Sequence, residues 1–190
     1  MAFNITDITS RLAFGGARPT LFTASINAPS GGIPNFEFLC RSATLPESTV
    51  GFFEVPYFGR KIKLAGNREY GEWTVTVYND EDFKIRHAFE NWHSTINSII
   101  SNRSASNRPI SYKTSGDVTQ YGKSGNPLRT YRFTGLFPSV ISPIQLDWNN
   151  TNQIEEFSVT FQYDYFTVEG ATGNITDGPS GGLGRPFAGL

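Results

Sequence analysis

Two histidines, one cysteine and a few acidic clusters are the side chains in this 190-residue chain that invite a chemical reading. His87 and His93 lie six residues apart in a segment of helical periodicity. On a helix that spacing turns them to different faces, so they do not form a metal pair. The segment GDVTQYGKSG (Gly116–Gly125) looks like a phosphate-binding loop, but five residues separate Gly116 from Gly122 where the P-loop pattern needs four. Asn126-Pro127 follows in place of the helix whose N-terminus would hold a phosphate. Asp80, Glu81 and Asp82 read as helix-capping carboxylates, and Asp147 and Glu155-Glu156 as ordinary surface groups. No GxSxG, HExxH, CxxC or paired-glycine dinucleotide fingerprint occurs. The sequence therefore predicts no catalytic residue, no cofactor and no metal, and it reads as a protein that is not an enzyme.

The elements around these residues are more informative. Thr49–Tyr57 and Arg60–Ala65 predict a β-hairpin with Phe58-Gly59 near its tip, and Gly66-Asn67 signals the next turn. Phe52, Phe53, Val55, Tyr57, Phe58, Ile62 and Leu64 are too many apolar groups for an isolated surface hairpin. Leaving such side chains in water forgoes about 1.5–3 kcal/mol each relative to burial. With Arg60 they form the candidate inter-subunit set, an arm that another copy of the chain would cover. Glu72–Tyr78 alternates cleanly, with Trp73, Val75 and Val77 on one face and Glu72, Thr74, Thr76 and Tyr78 on the other. Asn79 is the expected N-cap of a helix running from Asp80 to about Asn97. Within it, Ile85, Phe89, Trp92 and Ile96 define one stripe that packs on the sheet.

Thr20–Ile26, Phe36–Ser42, Ile110–Tyr121, Leu128–Phe137 and Glu155–Val168 are the remaining predicted strands. The last places Phe157, Val159, Phe161, Tyr163 and Tyr165 on an apolar face and Ser158, Thr160, Gln162 and Asp164 on a wettable one. Residues 1–16 read as an N-terminal arm, 17–168 as a β domain, and 169–190 as a Gly-rich flexible tail.

Composition narrows the function classes. Net charge is −1, so no basic field is available to grip nucleic acid through its phosphates. Charged residues make up 17%, below the roughly 25% of typical domains. Aromatics reach 14%, which fits either surface that becomes interface or a large β core rich in Phe and Tyr. The single cysteine, Cys40, rules out an internal disulfide and reads as a buried structural thiol. No run is long enough for a membrane helix, and MAFNITDITSR lacks the basic and hydrophobic regions of a secretory signal.

Several motifs in fixed order resemble the tail tube proteins of T4-like contractile-tailed phages. They are ARPTLF (Ala17–Phe22), FLCRSATLP (Phe38–Pro46), GRKIKLAGNREYGEWTVTVYNDEDF (Gly59–Phe83), LFP (Leu136–Pro138), QLDW (Gln145–Trp148) and NQIEEFSVTFQYDYF (Asn152–Phe166). The resemblance implies a mainly β fold, a β-sandwich or barrel with one flanking α-helix and a projecting hairpin, related in architecture to type VI secretion tube proteins. It further implies hexameric rings that stack into the inner tube of a contractile tail, a conduit for DNA ejection. The implied partners are further copies of the chain, a tail sheath protein, baseplate and tail terminator proteins, and tape-measure protein and double-stranded DNA in the lumen. The implied location is the virion, assembled in the host cytoplasm. A baseplate tube initiator, or the tube of a phage-like injection particle, shares these motifs. A small β-barrel binding module or enzyme is the reading from another class, and it predicts a stable monomer with a defined pocket.

Overall fold

The computed structural model describes residues 10, 15–29, 31–104, 108–149, 151–170 and 173–175. Most of the predicted N-terminal arm and of the Gly-rich tail lies outside the described residues. From residue 15 onward the described residues hold, in chain order, the strands and α-helices β1 (Phe22–Ala28), β2 (Gly31–Gly32), α1 (Phe36–Leu39), β3 (Cys40–Ala43), β4 (Ser48–Tyr57), β5 (Arg60–Tyr70), β6 (Trp73–Tyr78), α2 (Lys84–Ile96), β7 (Thr114–Tyr121), β8 (Pro127–Ile141), β9 (Glu156–Gln162) and β10 (Tyr165–Gly170). Eight strands form one antiparallel sheet in the order β2-β1-β7-β8-β9-β6-β3, with β10 also paired to β8. Among the described residues β4 and β5 pair only with each other.

The sheet bends at β8. Its first half pairs with β7 and β10, and its second half, from Phe137, pairs with β9. Gly135 sits at the change of partner with φ +72°, where a Cβ would run into the Asp164 carboxylate. Asp164 itself is fixed there: its N–H donates to the Thr134 carbonyl at 2.9 Å and its carboxylate accepts from Lys113 Nζ at 2.6 Å. Only glycine meets both demands at low cost. Gly135→Val is expected to destabilise the fold by about 1–3 kcal/mol, through strain and crowding at one corner. A thermal melt of the variant checks this; an unchanged midpoint would contradict it.

The bend brings the inner faces of the sheet together over one core. Trp73, Val75, Val77, Phe157, Val159 and Phe161 from β6 and β9 join Ala24, Ile26, Val118, Phe133 and Leu136 from β1, β7 and β8. Trp73 stacks on Phe133 at 4.4 Å between centroids and lies 5.2 Å from Phe161. α2 lays Ile85, Phe89 and Trp92 into the same cluster, with Ile96 half-buried beside it. Phe89 meets Phe36, Phe157 and Phe161 edge-on. The Trp92 indole N–H donates to the Tyr112 carbonyl at 2.8 Å, so its polar end is satisfied.

Several boundaries differ from the sequence expectation. The sheet does not close into a barrel within the chain: among the described residues no hydrogen bond joins β1 to β3. The predicted strand from Phe36 begins instead as the helical turn α1, which touches β1, β3 and β6 and closes with the Leu39 N–H on the Asn35 carbonyl and the Cys40 N–H on the Phe36 carbonyl. Asn35 enters that turn at φ 58°, a left-handed conformation that Asn tolerates. Phe36 is thereby buried while Phe38 is 78% exposed. α2 starts at Lys84, four residues after the predicted start, because Asn79–Phe83 are otherwise engaged. The Asn79 backbone and side chain both donate to Glu155, and a turn closes from Phe83 N–H to the Asp80 carbonyl. Asp82 accepts from the Lys84 N–H at 3.1 Å, so it is the carboxylate that serves the helix start. The long strand predicted at Glu155–Val168 breaks at Tyr163-Asp164, and Tyr165 turns outward. Glu169 and Gly170 belong to β10, and Ile175 pairs back with Val168.

Candidate assembly surface

The β4–β5 hairpin is built on a firm root and a free blade. At the root, the Gly71 N–H meets the Glu47 carbonyl, and Tyr70 packs against Phe166 at 5.5 Å and Tyr163 at 6.0 Å. Burial, then the Glu47 charge, then Tyr70 push the Tyr163 phenol up to about 12. Beyond the root, every residue from Ser48 to Glu69 is exposed.

The register sorts the blade into two faces, since residues directly opposite each other share a face. Phe53 faces Leu64, Val55 faces Ile62, and Tyr57 faces Arg60. Phe52 faces Ala65, Glu54 faces Lys63, and Pro56 faces Lys61. The first face is therefore apolar and the second charged. Lys61 pairs with Glu54 at 2.8 Å, and Lys63 Nζ lies 4.9 Å from the Phe52 ring centre. On the apolar face Phe53, Val55, Tyr57, Ile62 and Leu64 are 41–62% exposed. This two-faced pattern is legible in Lys61-Ile62-Lys63-Leu64, which alternates strictly, and it puts Phe52, grouped with the apolar set in the sequence, on the charged face.

The tip is a two-residue turn with Phe58 at φ 44° and Gly59 at φ 78°. Both central residues of such a turn need positive φ, which is why Asn-Gly is favoured there. Phenylalanine in that position is uncommon and costs about 1–2 kcal/mol. Phe58 is 90% exposed and makes one ring contact, edge-on to Tyr57 at 4.6 Å. The Gly66-Asn67 turn signal is not a turn: β5 runs through it, and the strands shift register between Val50 and Phe52. That bulge sits where Gly51 and Gly66 approach closely, and a Cβ on Gly66 would lie 3.2 Å from the Gly51 backbone.

A second exposed apolar element lies at the other end of β6 and β9, in the 142–155 segment that joins β8 to β9. Trp148 is 100% exposed, Leu146 80% and Ile154 69%. Pro143, Ile144, Gln153 and Glu155 complete a shallow groove with them. Sequence reasoning quoted Gln145–Trp148 only as part of a motif. The available signal was a run with Leu, Trp and Ile but no strand or helix period to bury them.

The sheet's outer face is covered with hydroxyls and amides that bond across strands. Thr74 meets Thr160 and Thr76 meets Ser158, each at 3.3 Å, and Gln162 donates to Glu72 at 2.7 Å. Ser25 donates to Asp117 at 2.8 Å, and Thr119 lies 3.0 Å from Thr130.

The groups that first invited chemistry are occupied structurally. His93 contacts the Pro138 carbonyl and His87 contacts Asn91. Gly116–Tyr121 lies in β7, and Gly122–Asn126 forms the hairpin turn to β8. Among the described residues no group of three His, Cys, Asp or Glu is placed to hold a metal ion. No helix among them is long and apolar enough to cross a membrane.

Burial pushes the Cys40 thiol up to about 11, partly offset by a hydrogen bond from the Ser42 backbone. At pH 8 its thiolate fraction is then about a hundredfold below that of a free cysteine, and slow labelling by a thiol reagent is expected. Cys40 and Tyr163 are both acids held protonated by the fold. Between pH 9 and 11 for Cys40, and 10 and 12 for Tyr163, the folded state binds more protons than the unfolded chain. Stability from these groups is thus full below pH 9 and falls above it. Melts from pH 7 to 11 should show that decline, and a flat profile would contradict it.

The family model for phage tail tube proteins matches residues 11–169. The chain is 35% identical over 164 residues to the tail tube protein gp19 of Enterobacteria phage T4, covering 85% of this chain and 98% of gp19. In fold it is similar to a chain of the anti-feeding prophage baseplate, with TM-score 0.60, 14% identity, and coverage of 82% of this chain and 96% of that one. It is also similar to a chain of the PVC sheath–tube complex, from an extracellular contractile injection system in its extended state. There the TM-score is 0.56 at 15% identity, covering 89% and 99% of the two chains.

Proposed function

The chain belongs to the phage tail tube protein family, and from that premise we propose that it closes into hexameric rings which stack into the inner tube of a contractile tail. It is a structural component of the virion, and its relatives are tail tube proteins rather than enzymes. One observation carries the finer reading: a hairpin with Phe53, Val55, Tyr57, Ile62 and Leu64 uncovered on one face, attached to a body whose own core is well packed. A neighbouring copy supplies the missing contacts. The helix face of Ile85, Phe89, Trp92 and Ile96 stays on its own sheet and stiffens the subunit.

The open sheet supports ring formation. β3 ends the sheet on one side and the two-residue β2 on the other, where it leaves Phe22–Ile26 of β1 uncovered, and strand edges of this kind seek partners. Joining neighbouring sheets around a ring removes those edges and makes a continuous inner barrel. A head-to-tail lateral contact closes by rotation, while the axial contact stays open and sets length. The hydroxyl-lined face of β6 and β9 suits the channel wall, since neutral groups do not hold DNA phosphates. Tail sheath and baseplate are the expected protein partners outside and below, with a terminator above and tape-measure protein and DNA in the lumen. Fold neighbours drawn from a sheath–tube complex and a baseplate support the sheath and baseplate part of this reading.

Purified protein, taken through a concentration series with and without the baseplate of its own phage, tests the reading. Electron microscopy should show rings and tubes. A monomer at every concentration in both conditions would overturn it.

A further inference from the structure

The hairpin and the 142–155 groove lie at opposite ends of one strand pair. Trp73, just after the hairpin root at Gly71, pairs with Phe161, and Tyr78 pairs with Glu156, just after the groove. At the usual rise per residue those ends are about 17 Å apart. Two uncovered apolar elements thus sit at opposite ends of a common body. A contact between them is heterologous, and surfaces on opposite ends of the body let it repeat along an axis without closing, as an axial contact must.

Their charges match as well. The distal hairpin carries Arg60, Lys61 and Lys63 against one carboxylate, Glu54. The segment from residue 142 to 156 carries Asp147, Glu155 and Glu156 and no Lys or Arg. Arg41 pairs with Glu156 and the neutral Asn79 amide donates to Glu155, while among the described residues Asp147 accepts from the neighbouring Asn149 alone. An acidic groove with Leu146, Trp148 and Ile154 on its surface is complementary to a blade with one aliphatic-aromatic face and a basic edge.

The geometry points to the 142–155 groove as the receptor for the β4–β5 hairpin of a second copy in the next ring, with Trp148 as the anchor that the hairpin covers. A fully exposed tryptophan is the side chain with most to gain from such burial, and aromatic anchors commonly dominate interfaces. The inference deepens the tube reading and rests on it, since it names which surfaces meet when rings stack.

The test uses Tyr57→Cys with Leu146→Cys in a Cys40→Ser background, treated after assembly with a short bismaleimide. A covalent ladder extending past six subunits is expected. Trp148→Ala is expected to form rings but to lose about thirtyfold or more in stacking affinity, with an unchanged subunit melting temperature. Tubes that form normally yet give no ladder, a ladder that stops at six, or full-length tubes from Trp148→Ala would each overturn the pairing while leaving the tube function standing. Absence of tubes from the unmodified chain beside its baseplate would instead overturn the tube reading itself, and the pairing with it.

Discussion

Phe53→Asp combined with Tyr57→Asp is expected to stop tube growth while leaving the subunit folded. Both side chains lie on the apolar face of the hairpin, 52% and 62% exposed in the isolated chain. Their cross-strand partners are Leu64 and Arg60. Losing these pairs costs the hairpin roughly 0.2–1 kcal/mol each, and beyond its root at Tyr70 the hairpin contributes nothing to the main core. In an assembled contact each ring forgoes about 1.5–3 kcal/mol of burial, and each new carboxylate resists desolvation as well. The association constant should therefore fall by roughly 10²–10⁴ per contact. Circular dichroism and a thermal melt should match the unmodified protein, while micrographs show no tubes. Normal-length tubes from the double variant would rule out this face as an assembly arm.

Trp73→Ala is expected to have the opposite profile, with assembly lost because the subunit itself fails. Trp73 is fully buried, stacked on Phe133, and adjacent to Phe161. It is the side chain through which β6 meets the first half of β8 across the curled sheet. Its indole N–H donates to the Thr44 carbonyl at 2.9 Å, tying the segment between β3 and the hairpin to the body. Truncation leaves a cavity and an unpartnered carbonyl, at a cost of about 3–5 kcal/mol. For a chain of this size that corresponds to a fall in melting temperature on the order of 10 °C. Trp73→Phe should recover most of the packing but not the tether. A melting temperature within a few degrees of the unmodified protein for Trp73→Ala would show that the two halves of the sheet are held by something else.

Period and pairing account for what the sequence disclosed. The alternation of Trp73, Val75 and Val77 defines one buried face of β6 because a strand has a period of two and one side of it is dry. The spacing of Ile85, Phe89 and Trp92 defines the buried stripe of α2 for the same reason at a period near 3.6. The hairpin was legible because its apolar residues exceed what two strands can cover alone.

What escaped sequence reading was set by tertiary contacts. Asn79 has the composition of an N-cap, but Glu155 claims it from across the chain. Phe36 and Phe38 alternate like a strand, yet a left-handed Asn35 starts a helical turn that fills the opening beneath Phe89. Asp164 splits a periodic run because the bend at Gly135 needs a partner there. Trp148 carries no periodic signal at all, and its exposure becomes visible only when the fold leaves it uncovered.

On the proposed assembly the hairpin's apolar face is buried by another copy of the chain. A cryo-EM map of intact tails, at a resolution that traces side chains, tests this most directly. The account predicts Phe53, Val55, Tyr57, Ile62 and Leu64 packed against a neighbouring subunit, with the hydroxyl face of β6 and β9 toward the channel. A map in which the hairpin folds back onto its own subunit, or projects into solvent with that face bare, would contradict it.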